Sequence, residues 1–94
     1  MPYVLKLYIT GKTPRSEQAV RNLEEILSNQ ERPDEYQLTI VDLLENPEVA
    51  EQEKIMATPT LVKELPPPVR RIIGDLSAHE KVYFALDILP KPVR

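Results

Sequence analysis

The stretch LVKELPPPVRRIIGDLS (residues 61–77) decides how this chain folds, because three consecutive prolines join two apolar runs and the second run reads two ways. In VRRIIGDL (residues 69–76), Val69, Ile72, Ile73 and Leu76 fall at i, i+3, i+4 and i+7, a helical stripe that Pro68 is suited to open. The same residues are rich in β-branched side chains and contain a turn-like Gly74-Asp75, which suits a short strand paired with residues 60–65. The ambiguity recurs in KVYFALDIL (residues 81–89). There Val82, Phe84, Leu86 and Ile88 alternate like a strand, whereas Val82, Ala85, Leu86 and Leu89 form a helical stripe. The C-terminal half therefore supports either a β-hairpin followed by a helix or a helix followed by a strand.

Working outward, the preceding residues read one way only. YVLKLYIT (residues 3–10) alternates around Lys6 and is a strand. GKTPRS follows as a loop in which Thr13 or Ser16 caps a helix and Pro14 sits in its first turn. Ala19, Val20, Leu23, Ile26 and Leu27 then share one helical face over residues 16–28. YQLTIVDLL (residues 36–44) returns to strand, with Leu38 and Ile40 on one side and Val41 and Leu43 on the other. A short helix is expected from Asn46 as its cap and Pro47 in its first turn, with Val49, Ala50 and then Ile55 or Met56 as its apolar face. TPTLVKEL (residues 58–65) is a strand opened by Pro59, and Ser77 to Glu80 spells a capping box before the last run. The order is β-α-β-α-β-(β)-α over one domain of residues 1–94. Completed by a hairpin and a helix it is a thioredoxin-like α/β fold, with Thr58-Pro59 where such domains often hold a cis proline.

Composition narrows the function. The 94 residues carry a net charge of −3, which argues against general nucleic-acid binding, since phosphate affinity needs a basic face. Arg70 and Arg71 are the one adjacent basic pair, and they suit a solvated or partner-facing role better than a phosphate site. No apolar run approaches the length that crosses a bilayer, and the N-terminus opens straight into a strand with no signal-peptide pattern. With zero cysteines, disulfides, zinc–thiolate sites and thiol chemistry are excluded. A cytoplasmic protein is the simplest expectation.

Catalytic constellations are not visible. Redox enzymes of thioredoxin type begin their first helix with C-x-x-C, because a helix N-terminus lowers a thiol pKa. Here the place reads Thr13-Pro14-Arg15-Ser16, whose hydroxyls cap but do not exchange disulfides. His79 reads as a helix-start residue, and Asp42 and Asp75 as turn caps rather than metal ligands. Gly11 and Gly74 stand alone, so no glycine-rich phosphate loop exists. The expectation is a binding or regulatory module with no cofactor. Two rivals are a degenerate thioredoxin-like oxidoreductase and a detached sensor domain of a histidine kinase.

YVLKLYITGKTP, KIMATPTLVKELPPPVRRIIGDLS and EKVYFALDIL closely resemble the KaiB family over nearly the whole chain. The resemblance implies a metamorphic protein with two forms. One is a ground-state βαββααβ homo-oligomer, dimer or tetramer. The other is a thioredoxin-like βαβαββα monomer that docks on the ATPase ring of hexameric KaiC, excluding a histidine kinase with a similar sensor domain and helping to sequester KaiA. It implies Lys54 and the surface of the first helix as KaiC-facing positions and places Gln37 and Thr39 where the KaiA interaction would fall; with the basic pair Arg70 and Arg71, these are the expected partner-binding residues. Tyr3, Pro59, Pro66, Pro67, Pro68, Ala85 and Asp87 are implied to lie where the two folds are balanced.

Three departures from the cyanobacterial pattern bear on this. Ala85 stands where many members carry glycine, and alanine stabilises a helix over glycine by roughly 0.5–1 kcal/mol, which favours the thioredoxin-like order. Gln37 and Thr39 replace a small residue and a lysine, which puts KaiA as a partner in question. The long acidic tail of many members does not follow PKPVR. The expectation is a divergent member that works with a KaiC-like ATPase. X-Pro bonds isomerise in roughly tens to hundreds of seconds, so the prolines are expected to slow any switching, or else only to stiffen a corner.

Overall fold

The computed structural model describes residues 2–88; Leu89 and PKPVR, which the sequence reading places at the end of the last run, lie outside them. The order is β1 (Tyr3–Ile9), α1 (Pro14–Ser28), a 3-10 turn (Pro33–Glu35), β2 (Tyr36–Asp42), α2 (Pro47–Gln52), β3 (Thr60–Leu65), β4 (Arg70–Ile73) and α3 (His79–Leu86). The ambiguous stretch thus resolves as hairpin-then-helix, the βαβαββα alternative. The sheet runs β2-β1-β3-β4, with β1 parallel to β2 and antiparallel to β3, and β4 antiparallel to β3.

The alternation of β1 divides its side chains between two layers. Leu5, Leu7 and Ile9 face α1 and α3, meeting Ala19, Leu23 and Ile26 from one helix and Val82 and Leu86 from the other. Tyr8 faces the opposite side, with Val62 and Leu43, under the thin apolar face of α2. That face is Val49 and Ala50, joined by Ile55 just beyond the helix, while Met56 is 94% exposed and takes no part. In the last helix the stripe wins over the alternation: Val82, Ala85 and Leu86 are buried and Phe84 is exposed.

Capping follows the sequence at α1 and departs from it at the two later helices. Thr13 Oγ1 accepts the Ser16 N–H at 3.1 Å, with Pro14 opening the helix. Asn46 precedes α2, but its side chain donates to the Asp42 carbonyl at 3.3 Å and accepts no helix N–H. The Ser77–Glu80 capping box is not formed either. Asp75 Oδ1 captures the Ser77 N–H at 3.0 Å in a tight local turn, and the helix starts two residues later with Ala78 at its cap. Asp42 is the turn cap expected of it: its Oδ1 accepts the N–H of Gly11 at 3.0 Å and of Leu44 at 2.9 Å. Gly11 has φ +66°, and a Cβ there would lie 2.8 Å from Leu44 Cδ1, so the turn after β1 needs glycine.

Candidate functional site: a partner-facing surface and a buried ionic joint

Register decides where the residues expected to face a partner lie. On β4, successive side chains point to opposite sides of the sheet, so Arg70 and Arg71 are separated although adjacent in sequence. Arg71 turns to the α2 side. Its guanidinium donates to the carbonyls of Glu53 at 2.6 Å and Lys54 at 3.0 Å, at the C-terminal end of α2 where the helix leaves carbonyls unsatisfied and negative. Lys54 sits in the left-handed region with φ 56°, its side chain exposed, so Arg71 and Lys54 form one rigid basic unit.

Arg70 turns to the α3 side, where its guanidinium lies 5.1 Å over the Phe84 ring and its Nε 3.6 Å from Asp87 Oδ2. Gln37 and Thr39 are exposed on β2, the opposite edge of the sheet, with β1 and β3 between them and β4. The five residues therefore occupy three places: one basic unit, one residue on the far face, and a pair on the far edge.

Several of the positions expected to balance the two folds do come together, around a residue the sequence reading passed over. Lys63 pairs across the ladder with Arg70 and Leu5 and so points into the helix-covered face, where it is 1% exposed. A buried ammonium needs acceptors. Lys63 Nζ finds them in the Pro66 carbonyl at 2.8 Å and Asp87 Oδ2 at 3.0 Å. Tyr3 Oη donates to the Asp87 carbonyl at 3.4 Å.

Asp87 ends α3 in a left-handed conformation, φ 56°, and ties the helix end to β1 through Tyr3 and to the proline corner through Lys63. The Lys63 hydrogen bond, aided by the Arg70 charge, keeps the Asp87 carboxyl below its ordinary value of 3.8. Ala85, two residues earlier, is buried. Pro67 and Pro68 are exposed at the corner, and Pro59 lies at the other end of β3, where its carbonyl accepts the Gly74 N–H at 2.9 Å. The Thr58-Pro59, Leu65-Pro66 and Pro67-Pro68 bonds are cis. The one signal that could have singled out Lys63 is a charge at an inward position of TLVKEL, legible only once that run is known to be an inner strand.

Nothing in this arrangement resembles a reaction centre: the polar groups tie elements together or face solvent. A family model described as KaiB domain matches residues 6–88. The circadian clock oscillator protein KaiB of Trichodesmium erythraeum is 59% identical over 87 residues, covering 93% of this chain and 83% of its own length. That of Microcystis aeruginosa is 54% identical over 92 residues, covering 98% and 88%. Among solved structures, the N-terminal domain of Synechococcus elongatus SasA superposes with a TM-score of 0.75 at 23% identity, covering 99% of this chain and 90% of that one. Mitochondrial thioredoxin 3 of Saccharomyces cerevisiae gives 0.70 at 19% identity, covering 92% and 78%. Those two establish the thioredoxin-like fold. The sequence matches establish more: the chain belongs to the KaiB family of circadian clock proteins.

Proposed function

We propose that this protein is a non-enzymatic regulator that binds the ATPase ring of a KaiC-type hexamer, adjusts its timing or signalling cycle, and does so through a switch between two folds. The observation that carries the reading is the Arg71–Lys54 unit within a KaiB-family chain, because an arginine of β4 (Arg70–Ile73) fixes the α2 end while the Lys54 side chain stays exposed. Binding through Lys54 is then linked to the thioredoxin-like form, and the ring draws the population toward it by mass action. The fold likeness to the SasA domain supports competition between this chain and another thioredoxin-like domain for one ring. It also leaves the detached-sensor reading weaker, at 23% identity against 54–59% for KaiB relatives.

The test is size-exclusion chromatography of the chain with a KaiC-type hexamer, with and without ATP. Co-elution that depends on nucleotide and weakens roughly tenfold in Lys54→Ala, about 1.4 kcal/mol, is expected. Separate elution under every nucleotide condition overturns the proposal. NMR at several dilutions reports the second form. Because Ala85 lies inside α3, this chain is expected to populate the thioredoxin-like form more than its own Ala85→Gly variant.

A further inference from the structure

We infer that the outer edge of β4, with the groove beneath α3, receives an extended acidic segment of the partner as an added strand; the inference rests on the ring-binding reading and names how contact is made. The Gly74 N–H donates to the Pro59 carbonyl at 2.9 Å, which fixes the phase of the antiparallel ladder. Hydrogen-bonded and non-bonded pairs alternate, so the N–H and C=O groups of Arg71 and Ile73 point away from β3. Among the described residues no strand lies beyond β4 in the sheet, so these groups are open to a partner backbone.

Apolar side chains flank that edge, and they are exposed: Val69 61%, Ile73 65% and Phe84 72%. A groove of about 630 Å³ runs along β4 under α3, with Arg70, Glu80, Lys81, Phe84 and Ala85 among its lining. Edge backbone, apolar flanks and a groove for alternate side chains are what strand addition requires.

Charge selects the occupant. Three cations, Arg70, Arg71 and Lys81, and one carboxylate, Glu80, are among the residues that line the groove, in a chain whose net charge is −3; the Arg71 guanidinium itself turns to the α2 side. Lys63 and Arg70 share the single Asp87 carboxylate, and Arg70 Nε, buried, has no hydrogen-bond partner among the described residues. Among those residues neither Arg71 nor Lys81 pairs with a carboxylate. A second copy of this chain fits poorly, because it would bring the same basic edge and not the carboxylates that would answer it. A segment alternating acidic and apolar residues satisfies the edge, the groove and Arg70 together. The opposing account is that a short basic edge merely discourages aggregation.

Hydrogen exchange on the wild-type chain with and without a KaiC-type hexamer separates the two. The Arg71 and Ile73 amides should exchange at least about tenfold more slowly in the complex, since an added strand protects them. Lys81→Glu should weaken the complex by about tenfold or more, and raised salt should narrow the gap between variant and wild type. A complex in which both amides exchange as in the free chain overturns the inference and leaves ring binding intact. Failure of any complex to form removes both.

Discussion

In the first half of the chain, Leu5, Leu7 and Ile9 of β1 meet Ala19, Leu23 and Ile26 of α1, and each element shows one periodicity with one buried face. In the second half, a buried lysine, a shared carboxylate and a proline corner hold together segments whose patterns fit two folds. The backbone differs in the same way. The described non-glycine residues with positive φ are Lys54, Leu76 and Asp87, all beyond α2, whereas the first half has Gly11 alone. A left-handed L-residue costs roughly 1–2 kcal/mol, so this fold spends conformational energy in just the half whose sequence patterns fit two readings. The first half is a scaffold set by packing; the second is a balance of opposed terms.

The largest expected effect tests the scaffold. Leu7→Ala removes a fully buried side chain beside α1 and should lower unfolding stability by about 2–5 kcal/mol in a denaturant titration. Leu86→Ala, at 1% exposure, should show its loss mainly as faster amide exchange in α3, with β1 amides protected. Equal acceleration in both halves would break the comparison, since the chain would then be one cooperative unit.

Next comes Ala85→Gly, which loses helix propensity and a buried methyl; about 1–2 kcal/mol against the thioredoxin-like form is expected, read from NMR populations. Lys54→Gly relieves the left-handed strain at an exposed site and should move the same populations the other way by about 1 kcal/mol. In an equilibrium between two folded forms, the extra freedom of glycine in the unfolded chain drops out. A shift away from the thioredoxin-like form on this change would show that strain at Lys54 does not enter the balance.

The smallest effect concerns acid. Asp87 has a depressed carboxyl pKa when folded, so its contribution is present above the unfolded value and is lost as pH falls through the folded one. Asp75, also held low by its hydrogen bonds to Ser77, acts in the same direction. Stability should therefore be flat above about pH 5 and decline below about pH 4. Asp87→Asn should make that decline shallower, and Lys63→Met should do the same while keeping the buried stem volume. An unchanged acid limb in both variants would assign it to Asp75 and remove the ionic joint from the account.

Much of the fold was legible beforehand. Strand β1, helix α1 with its Thr13 cap, strands β2 and β3, and the two layers implied by alternation all follow from periodicity and capping chemistry, which act within a few residues. The capping box at Ser77 misled because Asp75, two residues upstream, competes for the same N–H. The site was less legible. Lys54 and Arg71 were both singled out, but that they form one unit depends on β4 lying beside the end of α2. Lys63 was missed because an inward lysine looks like any other until its carboxylate partner arrives from 24 residues away.

By itself the sequence determined a small cysteine-free α/β chain, its first half, and its family, since those depend on local periodicity and on specific strings of residues. Only the tertiary structure decided between the two readings of residues 69–76. A β-branched run of that length satisfies both strand and helix locally. The choice falls to contacts distant in sequence: the β3 ladder, the Arg71 clasp on α2, and the Lys63–Asp87 pair.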